Sequence, residues 1–116
     1  MIVDSSDIVR KVGRRILSGA DFLVSEASDA DQALERAASD FPDVVIIDAN
    51  IEGALDLITQ MRRRAGDREF RIYYSLIEND MKKMMAARRA GATDFLMKPF
   101  DRRSLMAAFD WVDRAA

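Results

Sequence analysis

The chain has 116 residues, 49% of them hydrophobic and 33% charged, with a formal net charge of −2; that length holds one core, and the charge gives no electrostatic pull toward nucleic acid. It contains neither cysteine nor histidine, which excludes disulfides, thiol nucleophiles, Ser-His-Asp arrangements and the usual zinc sites, so any metal must take oxygen ligands as magnesium, calcium or manganese do. No apolar run approaches the ~20 residues of a membrane span and no signal peptide is visible, so the expectation is a cytoplasmic protein without membrane contact.

In chain order, Met1 to Val3 predicts a short first strand, starting so abruptly that a few preceding residues are expected to be missing. Ile8, Val9, Val12, Ile16 and Leu17 recur at helical spacing, with Gly19 as the stop. Phe22 to Val24 predicts the second strand. Ser28 is the expected N-cap of a second helix striped by Ala30, Ala33, Leu34, Ala37 and Ala38. Phe41-Pro42-Asp43 breaks that helix, and Val44 to Ile47 forms the third strand. Leu57, Ile58 and Met61 mark a third helix, and Ile72 to Tyr74 a fourth strand ending at Ser75. Met81, Met84 and Met85 follow core spacing in a fourth helix whose Lys82, Lys83, Arg88 and Arg89 form a solvated face, closed by Gly91. Phe95 to Met97 is the last strand, and Lys98-Pro99-Phe100 turns the chain into a helix striped by Leu105, Ala108, Phe109 and Val112. Apolar strands separated by helices predict an α/β fold, a doubly wound parallel sheet covered on both faces. No linker, repeat or low-complexity tract divides it, so one domain over residues 1–116 is expected.

Doubly wound sheets bind ligands at the carboxyl ends of their strands. Asp4 ends the first strand, Asp48 the third, Ser75 the fourth, and Lys98 follows the fifth. Singly, each reads equally well as a solvated strand end or a helix cap; together they put two carboxylates, a hydroxyl and an ammonium on one rim. A carboxylate attacks phosphorus if a metal screens the repulsion from the phosphoryl oxygens. Asp4, Asp48 and the main-chain carbonyl of Asn50 suit magnesium, while Lys98 and Ser75 suit phosphoryl oxygens.

Several stretches then point to a family: Ile2-Val3-Asp4, Pro42-Asp43 through Asp48-Ala49-Asn50, Gly53, Ser75, and Ala90 through Phe100, read AGATDFLMKPF. On these the chain resembles, over essentially its whole length, the receiver domain of two-component response regulators of the chemotaxis-regulator type. The resemblance implies a five-stranded (βα)5 flavodoxin-like sheet of strand order 2-1-3-4-5. It makes Asp48 the phosphoacceptor, supplied from a phosphohistidine on a sensor histidine kinase or histidine phosphotransfer protein. Lys98 and Ser75 take phosphoryl-contacting roles, and Phe95 matches the switch aromatic that turns inward as the hydroxyl engages the phosphate. Such a protein is no enzyme beyond its own phosphorylation and dephosphorylation.

Three departures stand out. The family's usual pair of acids after the first strand is here Asp4-Ser5, and losing the second carboxylate predicts weak magnesium binding. Asp7 either compensates or is an ordinary acid at a helix N-terminus. Glu52 stands where the family has proline, in a loop shortened by about two residues, and either reaches the metal or is solvated. Leu76 replaces a small residue and is expected to shield the acyl phosphate or hinder its donor. The last two helices and last strand are the expected output face, toward an unknown protein or a second copy of the chain. Trp111, off the main stripe, is either available there or covers the sheet edge. With nothing following Ala116, the sequence reads as a single-domain receiver or the N-terminal part of a longer regulator, signalling through protein contacts without direct nucleic-acid binding. The alternatives are a degenerate receiver that binds protein with little phosphorylation-dependent switching, and a free-standing aspartyl phosphohydrolase, for which the chain leaves little room for a lid.

Overall fold

The structure, a computed structural model, describes residues 1–111. Its elements are β1 (Ile2–Val3), α1 (Asp7–Gly19), β2 (Glu26–Ala27), α2 (Ala30–Ser39), β3 (Val44–Asp48), α3 (Ala54–Ala65), β4 (Arg71–Leu76), α4 (Met81–Ala90), β5 (Asp94–Met97) and α5 (Arg102–Ala108). Every pairing is parallel and the order is β2-β1-β3-β4-β5, the doubly wound flavodoxin-like sheet the sequence predicts.

The β-branched run Val44-Val45-Ile46-Ile47 is buried at every position, which suits a central strand packed on both faces. Side chains alternate across the sheet. Val3, Val45, Ile47, Ile72 and Tyr74 join one apolar cluster with Ala33, Ala37, Leu57, Ile58, Met61 and Ala87, under α2, α3 and α4. Ile2, Ile46, Tyr73 and Leu96 join the other with Leu17, Leu105 and Phe109, under α1 and α5. Each fully buried aliphatic side chain is worth about 1.5–3 kcal/mol over its exposed state.

Helix ends are capped by short polar side chains. Ser6 Oγ accepts from Val9 N, Asp80 Oδ1 from Lys83 N, and Asp101 with Ser104 closes a capping box at α5. Gly91, at φ 125°, ends α4 as expected, in a conformation that side-chain-bearing residues rarely adopt.

Several expectations are corrected. The second strand is Glu26–Ala27, not Phe22 to Val24. Ile2 and Val3 register with Glu26 and Ala27, so the ladder is set by the partners β1 offers, and the propensity of Phe-Leu-Val does not decide it. The Phe22–Val24 stretch instead packs Phe22 and Val24 against the α1–α5 side and leaves Leu23 fully exposed. Asp29, not Ser28, caps α2, its Oδ1 accepting from Gln32 N at 2.8 Å, while Ser28 donates to Gln32 Oε1. Ile8 and Val12 are exposed at 75% and 43%, because α1 turns Val9, Gly13 and Leu17 toward the sheet instead. Ala38 is likewise exposed on α2. On α4 only Met84 packs against the core, beside Ala87 and Ala90, whereas Met81 and Met85 are exposed. Trp111 is half-buried against the α1–α5 cluster with the Arg71 guanidinium 4.2 Å from its ring centroid. Val112 lies outside the described residues.

Candidate functional site

The period-2 alternation that puts Ile2, Ile46, Tyr73 and Leu96 on the α1–α5 face extends that row at the carboxyl ends. Two residues on from them stand Asp4, Asp48, Ser75 and Lys98. Asp48 pairs with Ser75 in the β3–β4 register, and Ser75 with Leu96 in the next. Asp4, Asp48 and Ser75 are the buried polar residues among those described, at 3%, 5% and 0% exposure.

Lys98 Nζ donates to Asp4 Oδ2 at 2.6 Å and to Asp48 Oδ1 at 2.9 Å. Burial pulls the ammonium's pKa down, but hydrogen bonds and Coulomb attraction from Asp4 and Asp48 together outweigh that and hold it above the usual lysine value. The second oxygen of Asp4 accepts from Ser6 N at 2.9 Å, so the helix cap and the pocket share one turn. Two carboxylates against one ammonium leave the pocket negative. The same field shows at Tyr74, whose phenol is raised first by burial and then by the charges of Asp48 and Asp80.

Ser75 Oγ is buried with no hydrogen-bond partner among the described residues. An orphaned hydroxyl beside a carboxylate calls for a ligand-borne acceptor. The main chain around it is tied down: Ala49 N donates to Ser75 O and Lys98 N to Leu76 O.

The remaining candidates lie around this center. Asn50 is exposed in the turn after Asp48, Ser5 is exposed, and Glu52 is exposed without a hydrogen bond or ion pair to a described residue. Leu76 is buried in the cluster under α2, α3 and α4, on the face opposite Ser75. Phe95 is half-buried at the edge of that same cluster. Asp7 is exposed and paired with Arg10.

Arg10 is the residue sequence reasoning passed over. Its guanidinium, 12% exposed, donates to the Asp4 carbonyl oxygen, to Asp7 and to Glu26 Oε1. The i,i+3 spacing of Asp7 and Arg10 was the available signal; the two longer-range contacts had none.

A divalent cation is implied by the donor chemistry, and its fit is partial. Asp4, Asp48 and the Asn50 carbonyl are hard oxygen donors with net negative charge, as magnesium or calcium requires. Among the described residues, however, no group of three acidic, histidine or cysteine side chains could hold a metal, and Lys98 already takes one oxygen of each carboxylate. The set suits a weakly held ion. The hollow beside it, lined by Ala49, Asn50, Leu76, Ile77, Glu78, Asp80 and Lys83, measures about 280 Å³. A larger hollow of about 420 Å³ lies at the other end of the strands, between Phe22, Pro42 and Val44, away from the carboxylates.

Comparison with known proteins gives a consistent picture. The family model described as the response regulator receiver domain matches residues 1–110. Response regulator MprA of Mycolicibacterium vanbaalenii is 34% identical over 110 residues, which are 92% of this chain and 46% of that protein. The chain thus spans about half the length of the curated relatives it matches. Among solved structures, chemotaxis response regulator CheY4 of Vibrio cholerae superposes with a TM-score of 0.86 at 26% identity, covering 96% of this chain and 94% of that one. The receiver domain of NtrX from Brucella abortus gives 0.83 at 25% identity, with 97% of each chain covered.

Proposed function

Because the chain belongs to the response regulator receiver domain family, and so to two-component signalling, we propose that Asp48 accepts a phosphoryl group from a phosphohistidine on a sensor histidine kinase or histidine phosphotransfer protein. The observation that carries this reading is the convergence of buried Asp4 and Asp48, the half-buried Lys98 ammonium and an unpartnered Ser75 hydroxyl on one face at the strand ends. A carboxylate oxygen of Asp48 attacks phosphorus; the phosphorus–nitrogen bond breaks, and the imidazole leaves with the electron pair and is protonated by solvent. Lys98, 2.9 Å from Asp48 Oδ1, neutralises charge on the transferred group, and Ser75 donates to another of its oxygens. Asp4, Asp48 and the Asn50 carbonyl would hold magnesium weakly, and the ion would supply the charge screening that lets two anions meet. Ser5, in place of a second carboxylate, leaves the metal's charge complement short, exposed Glu52 makes no hydrogen bond or ion pair with a described residue, and Leu76 is buried in the cluster under α2, α3 and α4.

The phosphorylated state is read through protein contacts at α4, β5 and α5, with Ser75 and Phe95 as the switch, from a cytoplasmic single receiver domain over residues 1–116. No turnover of outside substrates is proposed. The test is intact mass after incubation with acetyl phosphate, with and without magnesium, beside Asp48→Asn. A magnesium-dependent gain of one phosphoryl group, absent in the variant, is the expected result. No gain from acetyl phosphate or from a cognate phosphohistidine donor turns the reading into that of a degenerate, protein-binding receiver.

A further inference from the structure

Arg88 sits on the exposed side of the last turn of α4, where a cation ordinarily does no more than face water and the helix dipole. Its guanidinium is instead fixed at two points. Nη1 donates to the Thr93 carbonyl at 3.0 Å, and Cζ lies 5.0 Å from the centroid of the Phe95 ring. Thr93 is a rigid anchor. Its N–H donates to Ile72 O at 2.8 Å, and its Oγ1 accepts from Ile72 N at 2.9 Å and from Arg62 at 3.0 Å. Arg62 in turn bonds the Gly91 and Phe70 carbonyls. The planar fork of Arg88 is therefore pre-oriented over the ring by a neighbour that is itself pinned to β4. Arg89, one residue on and also exposed, makes no such contact with a described residue.

We propose that Arg88 is a positioning residue that latches Phe95 in its resting, half-buried place and so sets how readily the ring leaves it. The inference rests on the reading of Phe95 as the switch aromatic. Leaving forfeits the cation–π contact, so the resting state is favoured by the worth of that contact, and a group that favours one state of two shifts the population by that factor. The coupling is reciprocal: a ring that has moved frees Arg88, changing the charged surface of α4 in step with the pocket.

The test follows the Phe95 ring by NMR on selectively ring-labelled phenylalanine, assigned with Phe95→Leu. Wild type, Arg88→Gln, Arg88→Lys and Arg89→Gln are compared at rest and with beryllofluoride and magnesium, bound beryllofluoride being read from its own fluorine signal. Arg88→Gln is expected to raise the switched population at rest roughly two- to fivefold. Arg88→Lys, which keeps the charge and loses the fork, falls between, and Arg89→Gln matches wild type. A resting Phe95 signal identical in Arg88→Gln and wild type overturns the latch; so does an equal effect of Arg89→Gln, since charge alone would then act. Bound beryllofluoride that moves the ring in no variant removes the switch reading and the latch with it. Beryllofluoride that does not bind counts against Asp48 as acceptor and leaves the latch to be judged on the resting signal.

Discussion

Lys98 touches both buried carboxylates, and removing it strands two like charges where water barely reaches. Loss of one partner from a buried ion pair typically costs 3–5 kcal/mol. Lys98→Met is therefore expected to destabilise by about 3 kcal/mol in urea titration, and Asp48→Asn added to it to recover part of the loss; an additive double variant would mean that the lysine and Asp48 act independently. The pH dependence has a definite sign. The ammonium's folded pKa is raised above the ordinary 10.5, so the folded state holds the proton more tightly than the unfolded one. Its contribution is complete below pH 10.5 and is lost as pH climbs through the folded value. Wild type should show that alkaline loss and Lys98→Met should not. The neighbouring Ser5 yields a metal prediction: Ser5→Asp adds the missing carboxylate and is expected to tighten magnesium binding in a calorimetric titration. Unchanged affinity would remove the account of a charge-deficient pocket.

Elements meet the sheet through lines of residues that apolar spacing only partly marks. Helix α1 approaches closest at Gly13, where an added Cβ would stand 2.7 Å from Ile2 Cδ1 and 3.3 Å from Phe100 Cε2. An alanine would ordinarily gain about 1 kcal/mol of helix propensity. Ile2 is fully buried, so its Cδ1 can give way only by repacking core neighbours, and overpacking at about 1–3 kcal/mol wins. Gly13→Ala is expected to lose about 1 kcal/mol net in denaturant unfolding, and a gain would show that α1 can lift. The same glycine explains the misread stripe. Counting apolar residues selects Ile8 and Val12, because the residue at the true point of contact has no side chain to count. On α4 the small residues Ala87 and Ala90 mark the buried line, while the bulkier Met81 and Met85 lie off it.

At the scale of the molecule, two apolar clusters share one sheet, and every strand contributes to at least one of them. Breaking either face exposes the backbone ladder of the other, so unfolding should be a single transition. Met61→Ala, on the buried side of α3, and Leu105→Ala, on the buried side of α5, are each expected to cost about 2–5 kcal/mol. Both should shift the same transition, whether followed by helix circular dichroism or by Trp111 fluorescence on the α5 side. Non-coincident curves would show the faces melting separately.

What the sequence by itself determined was whatever depends on neighbours along the chain. The unbroken apolar run Val44–Ile47, the helices between strands and the polar residues at or just past the ends of the first, third, fourth and fifth strands point to a doubly wound sheet, and with it the rim where Asp4, Asp48, Ser75 and Lys98 meet. Period-2 alternation and the carboxyl-end rule need no knowledge of distant residues. Only the tertiary structure decided which residues pair as β2, which line of each helix touches the sheet, and where long cations reach. The second strand follows the register β1 offers. Arg10 finds the Asp4 carbonyl and Glu26, and Arg88 finds Phe95, because folding brings them within reach. A flexible side chain of that length has many local options, and only the surrounding surface selects one.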